Sequence, residues 1–370
     1  MIQLLFFMRS APKDSEVAEI VIIGAGPAGL ACAEALRQLN IDSIILESGK
    51  CTGYSWTQMP DNLQLGPWIS TQIDRSTSWL KLYNSPFAKE FSSYLQNFAI
   101  KNQINVKTNQ KVQSIKMDDG HFFLITSNRK SFKSSCIINA TGYFGSPFFP
   151  EWIKKIPNSC KTLHYNDYKN SDFILSSKLQ LKILIVGGGI SAGELLLDLV
   201  NSKHDIYIST RSIIKFEKPK WAQLLISPFY FWLEDKISSS KYFGSSKRHM
   251  AGGKIKRILK SKRITNIGPI LDINNDLFYH SKGSEHFDLV LFATGWKSNL
   301  SHLPAKLLNK DGQPLIHGFQ SKLWPGFFFL GIDNLVSYRS RFIRGIRNDA
   351  KDLATIILNY LENKKENSRD

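Results

Sequence analysis

The 370-residue chain has only four cysteines, Cys32, Cys51, Cys136 and Cys160, and no two of them are spaced as CxxC or CxxxxC. Neither a redox-active dithiol nor a zinc ribbon is spelled out, and a reducing cytoplasm fits this usage. No stretch reaches the roughly 18 consecutive apolar residues that a spanning helix needs, so the chain is expected to be soluble or at most surface-bound. Met1 to Met8 is apolar, but it lacks a basic n-region and a long enough core for a secretory signal, and reads as an N-terminal arm. Acid is also scarce. Lys and Arg number 48 against 31 Asp and Glu, a net charge of +17, and Lys236 to Leu271 contains no acidic residue. Lys241, Lys247, Arg248, Lys254, Lys256, Arg257, Lys260, Lys262 and Arg263 crowd into or just beside that stretch. Such a run attracts polyanions or solubilises a surface. No nucleic-acid-binding motif accompanies it, so nucleic acid is not an expected partner.

What the chain does contain begins at Ile20 to Leu30, IVIIGAGPAGL. A run of β-branched and aliphatic residues ends in Gly24, Gly26 and Gly29, and the apolar segment Ala28 to Leu39 follows, which predicts strand, tight turn and helix. Gly24 permits the turn, Gly26 leaves room for a pyrophosphate, and Gly29 lets the helix approach the strand. A second strand, Ser43 to Leu46, ends in Glu47, at the distance where a carboxylate meets a ribose hydroxyl.

Cys51 to Trp68, rich in Gly, Pro, Asn and Trp, reads as a loop over a bound ligand. Ser78 to Phe98 has helical spacing. Ile104 to Thr108, Gln113 to Met117 and Phe122 to Thr126 read as strands, with Asp118, Asp119 and Gly120 as a hairpin turn. The strand Ser135 to Asn139 runs into Ala140, Thr141 and Gly142, where backbone approaches a cofactor or a neighbouring chain segment.

Leu181 to Gly193, LKILIVGGGISAG, repeats the opening pattern. The strand Ile183 to Val186 leads into Gly187, Gly189 and Ala192, a helix through Val200, and the strand Asp205 to Ser209. Thr210 falls where Glu47 sits in the first unit, and Arg211 is next to it. A carboxylate there would repel a 2′-phosphate, whereas Arg211 can bind one. A charge-assisted hydrogen bond of about 1.5 to 3 kcal/mol favours NADPH over NADH by roughly 10- to 150-fold. Lys215 and Lys218 add to the same field. Phe287 to Trp296, FDLVLFATGW, supplies a second Ala293, Thr294 and Gly295. Pro325 to Asn334 is a further apolar strand ending in Gly331 and Asp333, ahead of a helix from about Ser340 to Leu361 and a fraying tail. Two such loops in one chain imply two bound nucleotides, most economically a flavin and a nicotinamide with hydride passing between them.

From Phe216 to Arg263 the regular pattern dissolves. Trp221, Leu224, Leu225, Ile226, Phe229, Tyr230, Phe231, Trp232 and Leu233 precede the basic run. Three readings stand: an amphipathic segment on an anionic membrane, a lid over an apolar pocket, or a buried helix.

These residues resemble the class B flavin-dependent monooxygenases, in particular the flavin-containing and YUCCA-like branch. That family's linker signature, F-x-G-x-x-x-H-x-x-x-[FYW], falls on Asn158 to Tyr168, where His164 and Tyr168 match, Lys169 follows, and Asn158 and Cys160 depart from it. Gly53, Tyr54, Ser55 and Trp56 resemble its GG-x-W flavin loop. The resemblance covers roughly Glu19 to Arg211 and Phe287 to Ala350. It implies an α/β fold of two Rossmann-like dinucleotide-binding domains, a discontinuous FAD domain with the NADPH domain inserted: residues 17–175 and 296–361 for FAD, 179–295 for NADPH with its insert at about 216–263, and tails at 1–16 and 362–370.

The resemblance also assigns residues. Gly24, Gly26, Gly29, Glu47, Trp56, Thr141 and Gly142 are expected at FAD, the backbone of Val112 at its adenine and Asp333 at its ribityl chain. Gly187, Gly189, Ser191, Ala192, Arg211, Thr294 and Gly295 are expected at NADPH. His164 and Lys169 lie on the crossing between domains, and His164 is equally readable as a satisfied structural histidine. The implied reaction is reduction of FAD by NADPH, then addition of O2 to give a peroxyflavin that passes one oxygen atom to a small apolar or amine-bearing substrate. His164, Asn62 and Gln64 are the candidate catalytic side chains. Two other readings stay open: an FAD-dependent NADPH reductase or oxidase without oxygen transfer, and a non-catalytic nucleotide sensor in peripheral membrane contact through Trp221 to Arg263.

Overall fold

The computed structural model describes residues 15–74, 76–216, 250, 253–261, 263–333 and 335–366. Contacts divide the chain into two compact units, one of Met1–Thr57, Leu65–Gly145 and Ser298–Asp370, the other of Gln58–Gln64 and Ser146–Lys297. The aromatic run Trp221 to Leu233 lies outside the described residues.

In the first unit the strands are β1 (Glu16–Ile23), β2 (Ile44–Leu46), β3 (Asn105–Lys107), β4 (Val112–Asp118), β5 (His121–Thr126) and β6 (Ser131–Asn139). Strand Phe327–Phe329, β6, β1, β2 and β3 lie side by side in that order, all parallel. Both faces of this sheet are covered, which is why β1 reads as an unbroken apolar run. Alternate residues go to opposite sides. Ile20 and Ile22 join a core with α1 (Pro27–Gln38), α2 (Ala88–Lys101) and the terminal helix Ile343–Glu366. Val21 and Ile23 join another with Phe122, Trp324 and Phe327. The hairpin of β4 and β5 turns at Asp119 and Gly120, both with positive φ (44° and 67°), as a tight two-residue connection requires.

The second unit repeats the plan. Its strands are β7 (Lys161–His164), β8 (Lys182–Val186), β9 (Asp205–Ser209), β10 (Ile264–Asn266) and β11 (Leu289–Phe292). They form a parallel sheet in the order β10, β9, β8, β11, β7. Ile183 and Ile185 of β8 face one core with α3 (Ile190–Leu199) and α4 (Lys254–Lys260), while Leu184 and Val186 face another with Phe278 and Phe287. An antiparallel meander of Ile270–Asn274, Leu277–His280 and Gly283–Glu285 precedes β11. The α/β class and the two Rossmann-like sheets agree with the sequence.

Some boundaries differ. The first unit breaks at Gly145, not near residue 175, because Lys161–His164 pairs along β11 as an edge strand of the second sheet. Helix α2 starts at Ala88 rather than Ser78, since Pro86 restricts the residue before it and Glu90 caps the Phe87 N–H at 2.7 Å. Trp79, Leu80 and Tyr83, within the expected helix, are exposed. Residues 51–68 are not all loop: Tyr54–Thr57 is a helical turn. The terminal helix runs to Glu366, past the expected fraying point.

Candidate functional site

Each unit builds the same cradle from a strand, a turn and a helix. In the first, the Gly24 N–H donates to the Leu46 carbonyl at 2.9 Å. Gly24 has φ +104°, and a Cβ there would lie 2.8 Å from the Ala140 carbonyl oxygen, so the turn can pass Ala140 only as glycine. At Gly29 a Cβ would lie 2.0 Å from the Gly24 carbonyl oxygen, which seats α1 directly on the turn. Gly26 differs: nothing lies within 4 Å of its Cβ position. It is the N-cap of α1, with Pro27 next, no side-chain cap and no acid in the first turn. The first helical N–H groups and the positive end of the dipole are therefore left for an anion.

The second cradle matches it. The Gly187 N–H donates to the Ser209 carbonyl at 3.0 Å, and a Cβ on Gly187 would lie 2.3 Å from the Ala293 oxygen. Gly189, N-cap of α3, again faces open space, with no side-chain cap and no acid in the first turn. Ser191 lies in that turn and Ala192, in the third glycine's place, is fully buried. Thr210 follows β9, and Arg211 beside it is exposed.

Glu47 does more than its position suggested. It is buried, and its two carboxylate oxygens accept the N–H groups of Ala25 at 2.8 Å and Gly49 at 2.7 Å. It thus pins the glycine loop, and a carboxylate accepting these bonds still has lone pairs for a ribose hydroxyl.

The two Ala-Thr-Gly segments are held by buried side chains. Thr141 accepts a hydrogen bond from Asn139 Nδ2 at 3.2 Å, and Asn139 Oδ1 lies 2.8 Å from His302 Nε2. Burial pushes His302 down to about 4, so the ring is neutral. In the second unit His164 Nδ1 accepts the Asn166 N–H at 3.0 Å, which puts the proton on Nε2, 3.1 Å from the Gly295 carbonyl. Burial also lowers the His164 pKa. With both nitrogens engaged, His164 positions Gly295. Thr294 donates its hydroxyl to the Phe148 carbonyl. Gly142 and Gly295, with φ +69° and +86°, face open space as Gly26 and Gly189 do.

The linker continues as a latch within the second unit. Tyr168, buried, donates to Asp198 Oδ2 at 3.0 Å, and Tyr165 donates to Glu194, one turn earlier on α3. The Lys169 ammonium donates to the Gln58 carbonyl, and the Asp61 N–H to the Lys169 carbonyl at 2.9 Å. Asn62 is exposed, its Nδ2 3.5 Å from Asp198 Oδ1. Gln64 is exposed as well.

The sequence profile described as Pyridine nucleotide-disulphide oxidoreductase matches residues 21–331, spanning both cradles. The chain belongs to this family. The oxidoreductase is similar to the uncharacterized oxidoreductase CzcO of Bacillus subtilis (strain 168), 24% identical over 349 residues that cover 90% of this chain and 97% of CzcO. It is also similar to the probable indole-3-pyruvate monooxygenase YUCCA8 of Arabidopsis thaliana, 25% identical over 76% of this chain and 75% of that one. In fold it resembles a flavin-containing monooxygenase from Stenotrophomonas maltophilia, with a TM-score of 0.78, 19% identity, and coverage of 94% and 99%. The family match spans both cradles, and the relatives and structural neighbours that the chain is similar to include proteins named as flavin monooxygenases. The chain's two open glycine positions and uncapped helix ends fit two pyrophosphates.

The remaining candidates sit around the first cradle with defined neighbours. Trp56 packs edge-on to Phe91, ring centres 4.8 Å apart. Val112 is buried in the core beside β5. Gly331 passes so close to α1 that a Cβ would lie 2.7 Å from the Ala28 Cβ, and Asp333 follows, half-buried. All four cysteines are free. Among the described residues, no helix is long and apolar enough to cross a membrane and no side-chain cluster could hold a metal.

Sequence reasoning passed over Glu194, Asp198, Asn139 and His302. The spacing of Glu194 and Asp198 on one helical face was the only available signal. Burial pushes Glu194 from its ordinary 4.5 to about 7, against the Tyr165 hydrogen bond, which lowers it. The folded protein therefore binds the Glu194 proton more tightly than the unfolded chain, and this group's contribution to stability falls as pH rises from about 4.5 to about 7. Glu194→Gln, which keeps an acceptor for Tyr165, should raise the thermal midpoint relative to wild type by more at pH 8 than at pH 5. Parallel melting curves across that range would contradict the assignment.

Proposed function

We propose that the protein is an NADPH-dependent, FAD-containing monooxygenase that inserts one oxygen atom from O2 into a small apolar or amine-bearing molecule. The observation that carries this reading is the duplicated cradle with unlike ends: a buried carboxylate, Glu47, closes the first, and Thr210 with Arg211 closes the second.

In this reading Gly24, Gly26, Gly29 and the first turn of α1 hold the FAD pyrophosphate on backbone N–H groups. Glu47 accepts a ribose hydroxyl. Trp56, Thr141, Gly142, Asp333 and the backbone of Val112 complete that site. Gly187, Gly189, Ser191 and Ala192 hold the NADPH pyrophosphate, and Arg211 engages the 2′-phosphate. Thr294 and Gly295 border it, with Gly295 set in place by His164. When bound, the flavin supplies two-electron chemistry, so that substrate, O2, NADPH and a proton give oxygenated substrate, NADP+ and water. The chain's own contribution is positioning and exclusion of water, which needs no dedicated nucleophile or metal. Asn62 and Gln64 remain candidate polar contacts to the reacting oxygen, and Lys169 orders their loop. The reading places the enzyme in the cytoplasm, with Trp221 to Arg263 available for peripheral membrane contact.

Turnover under 18O2 with NADPH and a panel of small amines, thioethers and 2-oxo acids tests oxygen transfer. One labelled atom in a product formed in step with NADPH oxidation is expected. Consumption of NADPH across the panel with label only in peroxide and water would favour an oxidase or reductase. Arg211→Ala should weaken NADPH binding roughly 10- to 150-fold, on the strength of a charge-assisted hydrogen bond, while leaving NADH binding unchanged in an equilibrium titration.

A further inference from the structure

Helix α3 turns its uncapped N–H groups to the second cradle and carries a carboxylate one turn behind them. Glu194 is four residues past Ile190, about 6 Å along the helix axis. It is half-buried, and its Oε2 accepts the Tyr165 hydroxyl. Asp198 follows one turn later and accepts the Tyr168 hydroxyl at 3.0 Å. The two tyrosine rings stack, with centres 6.2 Å apart and planes 15° from parallel, so the two carboxylates are held side by side. The same linker holds the rim of the cradle: the Tyr165 N–H donates to the Phe292 carbonyl at 2.9 Å, and His164 before it holds Gly295.

Two carboxylates one turn apart on a helix repel when both are ionised, and one of them then keeps its proton to higher pH. Glu194 is that one. Burial raises it, the Asp198 charge adds to the rise, and the Tyr165 hydrogen bond opposes both, which leaves it at about 7. The tyrosines do not relieve the repulsion by ionising, because burial and the adjacent carboxylates raise both hydroxyls and keep them donors. Among the described residues, the titratable groups that bear on Glu194 are Tyr165 from the linker and Asp198 from its own helix. Strand β8 and helix α4 meet α3 through apolar side chains, Ile183 and Ile185 from the one and Ile255 from the other. Segment 58–64 brings the neutral amide of Asn62 to within 3.5 Å of Asp198 Oδ1. A pyrophosphate on the first turn of α3 adds negative charge near this pair, and the repulsion between charges inside a protein falls only as the inverse of distance. An ionised Glu194 opposes such a ligand and a protonated one does not. By reciprocity, the ligand must then favour the protonated form.

We propose that dinucleotide binding in the second cradle is coupled to uptake of a proton from solvent by the Glu194 carboxylate, with Tyr165 as the positioning residue that tunes the coupling. The inference rests on the reading of that cradle as the NADPH site. Tyr165 occupies Oε2, so the proton goes to Oε1. Affinity is highest while Glu194 is protonated in the free protein, falls as pH rises through about 7, and levels off once Glu194 is ionised in the bound protein as well.

Calorimetric titration of the full-length flavin-loaded protein with NADP+ between about pH 6 and pH 9 tests it, in paired buffers whose different ionisation enthalpies report the protons taken up. The 2′-phosphate of NADP+ itself titrates at about pH 6, so the readout is wild type against E194Q, with NAD+, which lacks that phosphate, as a second probe. Wild type should take up protons relative to E194Q and lose about three- to tenfold in affinity across this range beyond any loss in E194Q, the equivalent of about half to one pKa unit on the carboxylate. Y165F removes the hydrogen bond that lowers Glu194 and should move the midpoint of the loss to higher pH. Identical pH profiles and proton counts in wild type and E194Q overturn the coupling while the coenzyme reading stands. No proton uptake by wild type on binding NAD+ near pH 7 overturns it even if E194Q fails to fold. An unmoved midpoint in Y165F overturns the role given to Tyr165. If neither NADP+ nor NAD+ binds at any pH, the coenzyme reading itself fails, and the inference with it.

Discussion

The contact between a glycine and a neighbouring carbonyl fixes both halves of this protein. Gly24 lies against Ala140, and Gly187 against Ala293, at distances that leave no room for a side chain. Each contact brings the first strand's turn up to the end of the adjacent parallel strand, with the following glycine, Gly142 or Gly295, opening the backbone toward the same space. The helix behind is then forced to begin with its N–H groups uncapped. Orphan helix N–H groups are met by side chains, water or a ligand, and with no side-chain cap on either helix these are open to an anion.

Around this shared frame the two units differ in the polar groups that hold it. In the first, Glu47 ties the strand after the helix to the glycine turn, and His302 through Asn139 reaches Thr141. In the second, the ring of His164 holds Gly295, while Tyr165 and Tyr168 fasten the linker to the carboxylates of α3. The linker's matching residues thus secure backbone around the second cradle. That agrees with chemistry in which cofactors carry the bond-making and the chain keeps geometry.

Both cradles were legible in the sequence because their signal is local. Strands buried on both faces read as continuous apolar runs, as Ile20 to Ile23 and Ile183 to Val186 do, and the glycine spacing follows at once. The bonds from Glu47 to Ala25 and Gly49 were hidden, since a carboxylate expected at a ribose gives no sign of which N–H groups it also serves. Asn139 and His302 meet across 163 positions, with no pattern linking them. The long helix expected from Ser78 failed because apolar spacing was counted through Pro86. That Lys161–His164 pairs as an edge strand of the second sheet was not legible, because parallel pairing is long-range and leaves no mark on either strand alone.

The most direct test of two nucleotide sites in one chain is an anaerobic absorption titration of the purified protein with NADPH. The account predicts a bound flavin spectrum that bleaches fully with one equivalent of NADPH per flavin, and much more slowly with NADH. A protein that retains no flavin, and recovers none when FAD is added, would contradict the assignment of Gly24 to Glu47 on which everything else rests.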